Sequence, residues 1–189
     1  MIRFCSIVTH NKKEGIPMIR YRNTKLLLAA MSIIIIGTGS AVAGDIQVAA
    51  TTPFSENGAI REAVKNECQL QTKLPGFVKE FADSYGVDVT LTEKTPSKSK
   101  GKVLVLEITG VSGGGGGAWS GAKSVQAKGE LFENGKSIGN FTVSRYSGGG
   151  MFAAYKGTCS IMGRCVKTMG KDIATWLQHP TKNARLGDS

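Results

Sequence analysis

The chain has 189 residues, of which 41% are hydrophobic and 20% charged, and a formal net charge of +10. Half of that positive excess precedes residue 44: residues 44–189 carry 18 Lys/Arg and 13 Asp/Glu, a net charge of +5, without any long run of like charges. This modest charge, without aromatic residues interleaved among the basic ones, argues against nucleic acid as a partner.

Residues 18–43 have the three parts of a secretory signal peptide. Basic residues precede an apolar run at 26–36, and an Ala-Val-Ala cleavage site ends at Ala43. We therefore predict export to the periplasm and a mature chain that begins at Gly44. Residues 1–17 are predicted to be a misassigned extension, because a signal peptide starts with its basic segment. The alternative is an uncleaved anchor, since the apolar stretch approaches the length of about 18 residues that a span needs.

The mature part, residues 44–189, is predicted to form a single domain with its own core. In chain order we predict a strand at 46–50, a helix at 72–85, strands at 87–91 and 103–109, paired strands at 122–132 and 136–145, and a helix at 160–178. The last helix carries one apolar stripe, formed by Ile161, Cys165, Met169, Ile173 and Leu177. Two helices against one face of a mostly antiparallel sheet predict a two-layer α+β domain.

The two paired strands are joined at Asn134-Gly135, the strongest short-range signal for a β-hairpin. The apolar residues of both strands have odd numbers, so the pairing has to place odd residues opposite odd residues. A three-residue loop with a left-handed Gly135 meets that condition. It predicts that Ala127 pairs with Phe141 and that Val125 pairs with Val143.

Three cysteines follow the predicted leader, in a compartment that permits disulfides. Cys159 and Cys165 lie six residues apart at the start of the last helix, a rise of about 9 Å, which exceeds the separation that a disulfide spans. Cys165 also belongs to the apolar stripe, where a thiol packs as a small hydrophobe. We therefore predict a disulfide between Cys68 and Cys159. A zinc site is the weaker alternative, because the cysteines lack paired C-x-x-C spacing.

Motifs for catalysis, metals or cofactors are sparse, and we predict none of the three. The glycine run at 113–117 leads to Lys123 and Ser124 but enters a strand, whereas a phosphate-binding loop has to enter a helix. His179 is the single histidine after the leader and is predicted to lie at a helix end. A Ser-His-Asp triad would have to use this histidine as its base, so the sequence does not favour one. Glu107, on the predicted central strand, needs a cationic partner, for which Arg145 or Lys123 is the candidate.

Two glycine-rich segments flank the hairpin and carry the aromatic and cationic residues most suited to contact. The candidate interaction residues are Trp119, Lys123, Arg145, Tyr146 and Tyr155. They predict a surface for a protein or an envelope polymer, without catalytic activity. The alternative is a site for a small anionic ligand or glycan at Lys123, Arg145 and Tyr146, and a hydrolase is the least favoured hypothesis.

Four segments together resemble uncharacterised exported proteins of proteobacteria and the small YajG-like envelope proteins. They are Gly116-Gly-Ala-Trp-Ser-Gly-Ala-Lys123, Arg145-Tyr-Ser-Gly-Gly149, Gly157-Thr-Cys-Ser160 and Asp172-Ile-Ala-Thr-Trp-Leu177. The resemblance implies a helix-backed sheet and an envelope location, and it assigns no chemistry. Unlike the lipoproteins of that group, this chain has no lipid-bearing cysteine after the cleavage site, so no membrane anchor is expected once the leader is removed.

Overall fold

The computed structural model describes residues 45–58, 60–113, 121–148 and 156–188. Its elements are β1 (Ile46–Ala49), α1 (Glu62–Glu67), α2 (Leu70–Ser84), β2 (Val89–Thr92), β3 (Lys102–Ser112), β4 (Lys123–Glu133), β5 (Lys136–Ser147), α3 (Thr158–Gln178) and β6 (Ala184–Gly187). The predicted extension and signal peptide lie outside the described residues, as do Trp119 and Tyr155.

The six strands form one mixed sheet in the order β2-β1-β3-β4-β5-β6. Among the three long central strands, β4 pairs antiparallel with both β3 and β5, whereas β1 pairs in parallel with β2 and β3, and β6 pairs in parallel with β5. The predicted α+β class is confirmed, but "mostly antiparallel" is only partly right. The reason is that the helices return the chain to the sheet as crossovers, and crossovers produce parallel neighbours.

One face of the sheet and the helices enclose the core. The inward residues of the central strands alternate with exposed or half-buried ones, as a sheet covered on one side requires. The predicted apolar stripe of α3 is buried along its whole length, and α3 packs closely on α2 where Gly170 lies against Phe77. A side chain at Gly170 would collide with Phe77, so glycine sets the distance between the two helices.

The hairpin turns at Asn134-Gly135, but its register differs from the predicted one. Both turn residues are left-handed, with φ of 50° and 83°, which is the geometry of a two-residue type I′ turn. A bulge follows at once, so Ala127 pairs with Val143 and Val125 pairs with Arg145. The predicted pairs are therefore wrong by two residues, while the shared faces are right. Asn134 and Gly135 supply the two left-handed residues that the turn needs. The extra residue of the bulge then shifts the register by one, so that odd residues again lie opposite odd residues.

The predicted disulfide is present between Cys68 and Cys159, whose Cα atoms are 4.8 Å apart. Cys68 lies between α1 and α2, and Cys159 is in the first turn of α3, so the bond ties the two long helices together at one end. Cys165 is buried, as its place on the apolar stripe predicts, and its thiol is free. Burial raises the pKa of that thiol, which keeps it in its neutral, unreactive form.

Candidate functional site

The open end of the hairpin is where the structure gathers several of the predicted interaction residues. There β4 begins and β5 ends, with Lys123 paired to Ser147 and Ser124 paired to Tyr146. The first half of α3 and the segment after β6 border the same end. Together they form an open, mainly polar cleft of about 340 Å³ whose lining includes Arg145, Tyr146, Arg164, Thr168 and Asp188.

Arg145 is held by two carboxylates that no short-range sequence pattern joins to it. Its Nε and Nη2 atoms donate to the two oxygens of Asp172 on α3, each at 2.8 Å, and Nη1 donates to Asp188 Oδ1 at 2.8 Å. The hydrogen bonds from Asp172 are the main cause that raises the pKa of Arg145 above its ordinary value. The side chains of Arg145 and Asp172 are 26% and 18% exposed, so this is a half-buried, bidentate pair.

The charge of this cluster limits what it can bind. One guanidinium and two carboxylates sum to −1, and all three nitrogens of Arg145 donate to protein oxygens. An incoming anion would have to displace Asp188 or Asp172. The main role of this cluster is therefore structural: it clamps β5, α3 and the segment after β6 together. Binding of a ligand by the Arg145 guanidinium is a secondary role.

Tyr146 follows Arg145 on the strand and points the other way, as successive strand residues do. It is 66% exposed, the largest exposed apolar side chain among the described residues. Its backbone N–H donates to Asp188 Oδ2 at 3.1 Å. The same carboxylate thus fixes the backbone on which the Tyr146 ring is displayed.

Lys123 is not a surface cation at this end, because the whole residue is buried. Its Nζ atom donates to the carbonyl of Gly121 at 2.9 Å, and its stem lies against Gly113. The Cys165 thiol donates to the Lys123 carbonyl at 3.8 Å. Lys123 therefore contributes to the packing of the open end, whereas Arg145 and Tyr146 reach the cleft.

Glu107 pairs with neither Arg145 nor Lys123, so both predicted partners are wrong. Its carboxylate contacts Lys128 Nζ at 2.9 Å, and Lys128 is the residue directly opposite on β4. A hydrogen bond from Ser55, followed by the one from Lys128, lowers the pKa of Glu107. The register explains the pairing, because directly opposed residues of opposite charge meet on one face of an antiparallel pair.

Within the residues that the structure describes, no group of three or more His, Cys, Asp or Glu side chains could hold a metal ion. His179 follows α3 next to Pro180, and Pro180 borders a groove with Ile138 near the start of β5. His179 therefore lies near the turn end of the hairpin, far from Tyr146 near the end of β5.

Sequence reasoning missed Asp188, and it did not join Asp172 to Arg145. Asp188 reaches Arg145 because β6 adds to the outer edge of β5, 43 residues along the chain from it. The local sequence of β6, Ala-Arg-Leu-Gly, is too short to signal a strand. An acidic residue on a helix and an arginine on a strand give no local sign that they pair.

Two findings concern location. The disulfide fits an oxidising, exported environment, because such bonds persist outside the reducing cytosol. Across residues 45–188, in the parts that are described, none of the helices is both long and apolar enough to cross a membrane.

Comparison with known proteins gives a partial likeness of fold. No family model and no curated protein matches the chain. Among solved structures, the PelC dodecamer from Paraburkholderia phytofirmans is 15% identical, with a TM-score of 0.42 over 67% of this chain and 86% of that one. Protein XCC0632 from Xanthomonas campestris, of family DUF330, is 14% identical, with a TM-score of 0.46 over 72% of this chain and 84% of that one.

Because the identities are this low and the TM-scores are below 0.5, nothing about function is taken from the two proteins. The predicted resemblance to YajG-like envelope proteins is not shown by these comparisons and stays a prediction.

Proposed function

We propose that this chain is an exported accessory protein of the cell envelope, without catalytic activity, that contacts a protein or an envelope polymer through the open end of its hairpin. Removal of a leader at residues 18–43 would leave it in the periplasm. The leader pattern and the Cys68–Cys159 disulfide support this location, because both belong to exported proteins.

The observation that carries the contact surface is the display of Tyr146. The Tyr146 ring is 66% exposed, and the residue before it, Arg145, is fixed by two carboxylates on the other face of the strand. Tyrosine and arginine are enriched at protein interfaces, and a fixed framework lowers the entropy that is lost when a partner binds. The open end of the hairpin is therefore suited to contact.

The two glycine-rich segments extend this proposal to Trp119 and Tyr155. One segment connects the end of β3 to the start of β4, and the other connects the end of β5 to α3. Both leave their strands at the end of the sheet where Tyr146 lies. Trp119 and Tyr155 are accordingly proposed to belong to the same contact surface.

A non-catalytic role is the simpler hypothesis for the cleft itself. Both carboxylates of the clamp are bound to Arg145, and His179 lies toward the other end of β5. A general base would have to be released from Arg145 before it could accept a proton, which favours a structural use of these groups.

The contact surface is tested by photo-crosslinking in living cells. A photoreactive phenylalanine analogue replaces Tyr146 in one strain and Thr90, exposed on β2 at the far edge of the sheet, in a matched control strain. We expect a discrete crosslinked species from position 146 and none from position 90. Equal products from both positions, or none from 146, would contradict the proposed surface.

The location is tested separately by fractionation and N-terminal sequencing. We expect the protein in the periplasmic fraction, beginning at Gly44, with Cys68 and Cys159 joined in a non-reducing peptide map. Full-length protein in the cytosol with both thiols free would overturn the exported location, whatever the crosslinking shows.

A small anionic ligand or glycan is the second candidate, favoured by a cleft of about 340 Å³ that includes Arg145 and Arg164. A thermal-shift screen with anionic metabolites and glycans tests it. A ligand present at 100 times its dissociation constant adds about 2.7 kcal/mol to the free energy of unfolding. We expect Arg164→Met to remove any such shift, and a shift that survives this change would place the ligand elsewhere.

A further inference from the structure

The segment from Thr181 to Asp188 lies along the outer edge of β5 in the manner of an added peptide strand. Strand β6 pairs in parallel with β5, with Phe141 opposite Ala184 and Ser144 opposite Gly187. No tight turn joins the two strands, because α3 and a connection of five residues separate them. Strand addition of this kind is a common way for one chain to recognise an extended segment of another.

Polar contacts hold the segment at both of its ends. At its start, the Asn183 backbone N–H donates to Asn140 Oδ1 at 3.0 Å, and Asn140 Nδ2 donates to Asn183 Oδ1 at 3.2 Å. At its end, Asp188 accepts from Arg145 Nη1 at 2.8 Å and from the Tyr146 N–H at 3.1 Å. The edge of β5 thus provides an amide clamp at one end and a carboxylate clamp at the other.

The apolar contribution to this attachment is small. Ala184 and Leu186 are only half-buried against the core, and Arg185 between them is exposed. The segment is therefore held by backbone hydrogen bonds and by the two clamps, together with the partial burial of Ala184 and Leu186. Such contacts are re-formed without loss when an identical segment from another molecule takes the same place.

The receiving edge is prepared independently of the segment it holds. Asp172 on α3 fixes Arg145 through two hydrogen bonds that do not involve residues 181–188. If the segment leaves, Arg145 keeps its orientation and presents one free N–H pair to the vacated edge. A second copy of Asp188 would find the same carboxylate clamp already formed.

The connection between α3 and β6 is short and conformationally constrained. It comprises residues 179–183, contains Pro180, and ends at Asn183, a non-glycine residue with a left-handed φ of 55°. A left-handed φ is uncommon outside glycine, and an extended connection would release Asn183 from it, while Pro180 limits the other conformations that the connection can adopt. Short, constrained connections of this kind favour exchange of the element they join.

The geometry points to exchange of this segment between two copies of the chain. In the exchanged dimer, residues 184–188 of one copy add to β5 of the other, and the Asp188 carboxylate of each copy is bound by Arg145 of its partner. The clamp at the open end would then be completed by two molecules, with an isologous arrangement. This inference stands apart from the proposed envelope contact.

The test mixes two single-cysteine variants of the mature chain, each also carrying Cys165→Ala to remove the free thiol. Thr142 and Arg185 are directly paired and both exposed, and paired strand residues lie within the Cα separation that a disulfide spans. Thr142→Cys on one chain and Arg185→Cys on the other are held at disulfide distance when the segment of one copy lies on β5 of the other, and otherwise meet only by random collision. Each variant alone can form only like-with-like disulfides, which the peptide map distinguishes.

Random collision is measured with a matched pair in which Thr90→Cys, on the opposite edge, replaces Thr142→Cys. After mild oxidation of the mixtures at high protein concentration, we expect a several-fold excess of the dimer joined through positions 142 and 185 over the control dimer. Equal yields for the two mixtures would overturn the inference.

The connection offers a second, independent measurement. Deletion of Thr181 and Lys182 shortens the path to β5 of the same molecule, so we expect the dimer to predominate in size-exclusion chromatography with light scattering. Insertion of Gly-Ser after Lys182 lengthens that path and should leave mostly monomer. If the shortened chain does not fold, the mixing experiment still decides the matter; folded chains that are all monomeric would contradict the exchange.

Discussion

Helix α3 is tied to the rest of the molecule at two places, by bonds of different chemistry. At its first turn Cys159 is joined covalently to Cys68, ahead of α2. Further along, Asp172 holds Arg145 of β5, and Arg145 in turn holds Asp188. The covalent tie depends on an oxidising environment, whereas the ionic tie forms anywhere and responds to ionic strength. The covalent tie is therefore informative about the compartment in which the protein resides. The ionic tie determines how the open end of the hairpin is held.

Removing the covalent tie should have the largest effect on stability. Cys68 and Cys159 are 91 positions apart, and in the chain-entropy model a crosslink over a loop of that length contributes about 4–5 kcal/mol. We expect the double variant Cys68→Ser and Cys159→Ser to lower the free energy of unfolding by an amount approaching this value, as measured by urea denaturation.

Cys165→Ala is the control for that measurement, because it alters a buried cysteine and leaves the disulfide intact. We expect the double variant to be clearly less stable than Cys165→Ala. Equal losses in the two proteins would mean that the covalent tie contributes little beyond the packing of its sulfur atoms.

Removing the ionic tie should cost less. Arg145→Met deletes the hydrogen bonds to Asp172 and Asp188 and leaves Asp172 half-buried without its cation. Hydrogen bonds to charged groups contribute about 1.5–3 kcal/mol each when buried, and we expect a total loss of about 2–3 kcal/mol in this half-exposed setting. The loss should shrink when the salt concentration is raised.

Lys65→Met is the matched control for the ionic tie, because its partner Glu62 is 75% exposed. An exposed pair three residues apart on a helix contributes well under 1 kcal/mol. If Arg145→Met were no more harmful than Lys65→Met, the clamp would have no structural role, and the comparison between the two ties would fail.

The pair of Glu107 and Lys128 should have a smaller effect that depends on pH. The pKa of Glu107 is lowered from 4.5 in the folded state, first by Ser55 and then by Lys128. Its contribution is therefore complete above the ordinary value and is lost as the pH falls through the lowered folded pKa. We expect wild type to exceed Glu107→Gln in unfolding free energy at pH 7, with the difference closing as the pH falls through that lowered pKa.

Ser55→Ala is the companion to Glu107→Gln, since it removes the first cause of the shift and leaves the carboxylate in place. We expect it to reduce the pH-dependent difference without abolishing it. A difference that is independent of pH would show that Glu107 acts through packing and not through its charge.

The parts of this structure that the sequence predicts are those set by local or periodic patterns. The stripe of α3, the central strand β3 and the odd-numbered faces of the hairpin follow from hydrophobic spacing, and the disulfide follows from helix geometry. The hairpin register was not predictable in the same way. A type I′ turn followed by a bulge places the same residues on the buried face as a three-residue loop does. The pattern of apolar residues therefore cannot distinguish these two arrangements.

The candidate site was the least accessible to sequence reasoning, because long-range pairing assembles it. Arg145 and Tyr146 were identified by their chemistry, but their environment depends on Asp188, which β6 brings to β5. The sequence predicts a contact role for the Lys123 cation, yet the close approach of Gly113 buries its stem. Its charge suggested exposure, and tertiary packing decided otherwise.

The smallest expected change in stability is that of Tyr146→Ala, which removes the ring and leaves the ionic tie of Arg145 intact. The ring is 66% exposed, while the contact with Asp188 uses the backbone N–H, which Tyr146→Ala retains. Exposed substitutions of this kind change stability by about 0.5 kcal/mol or less, so we expect the urea midpoint of Tyr146→Ala to match that of wild type. A loss above about 1 kcal/mol would show that the ring supports the fold, in which case its exposure could no longer be used as an argument for contact with a partner.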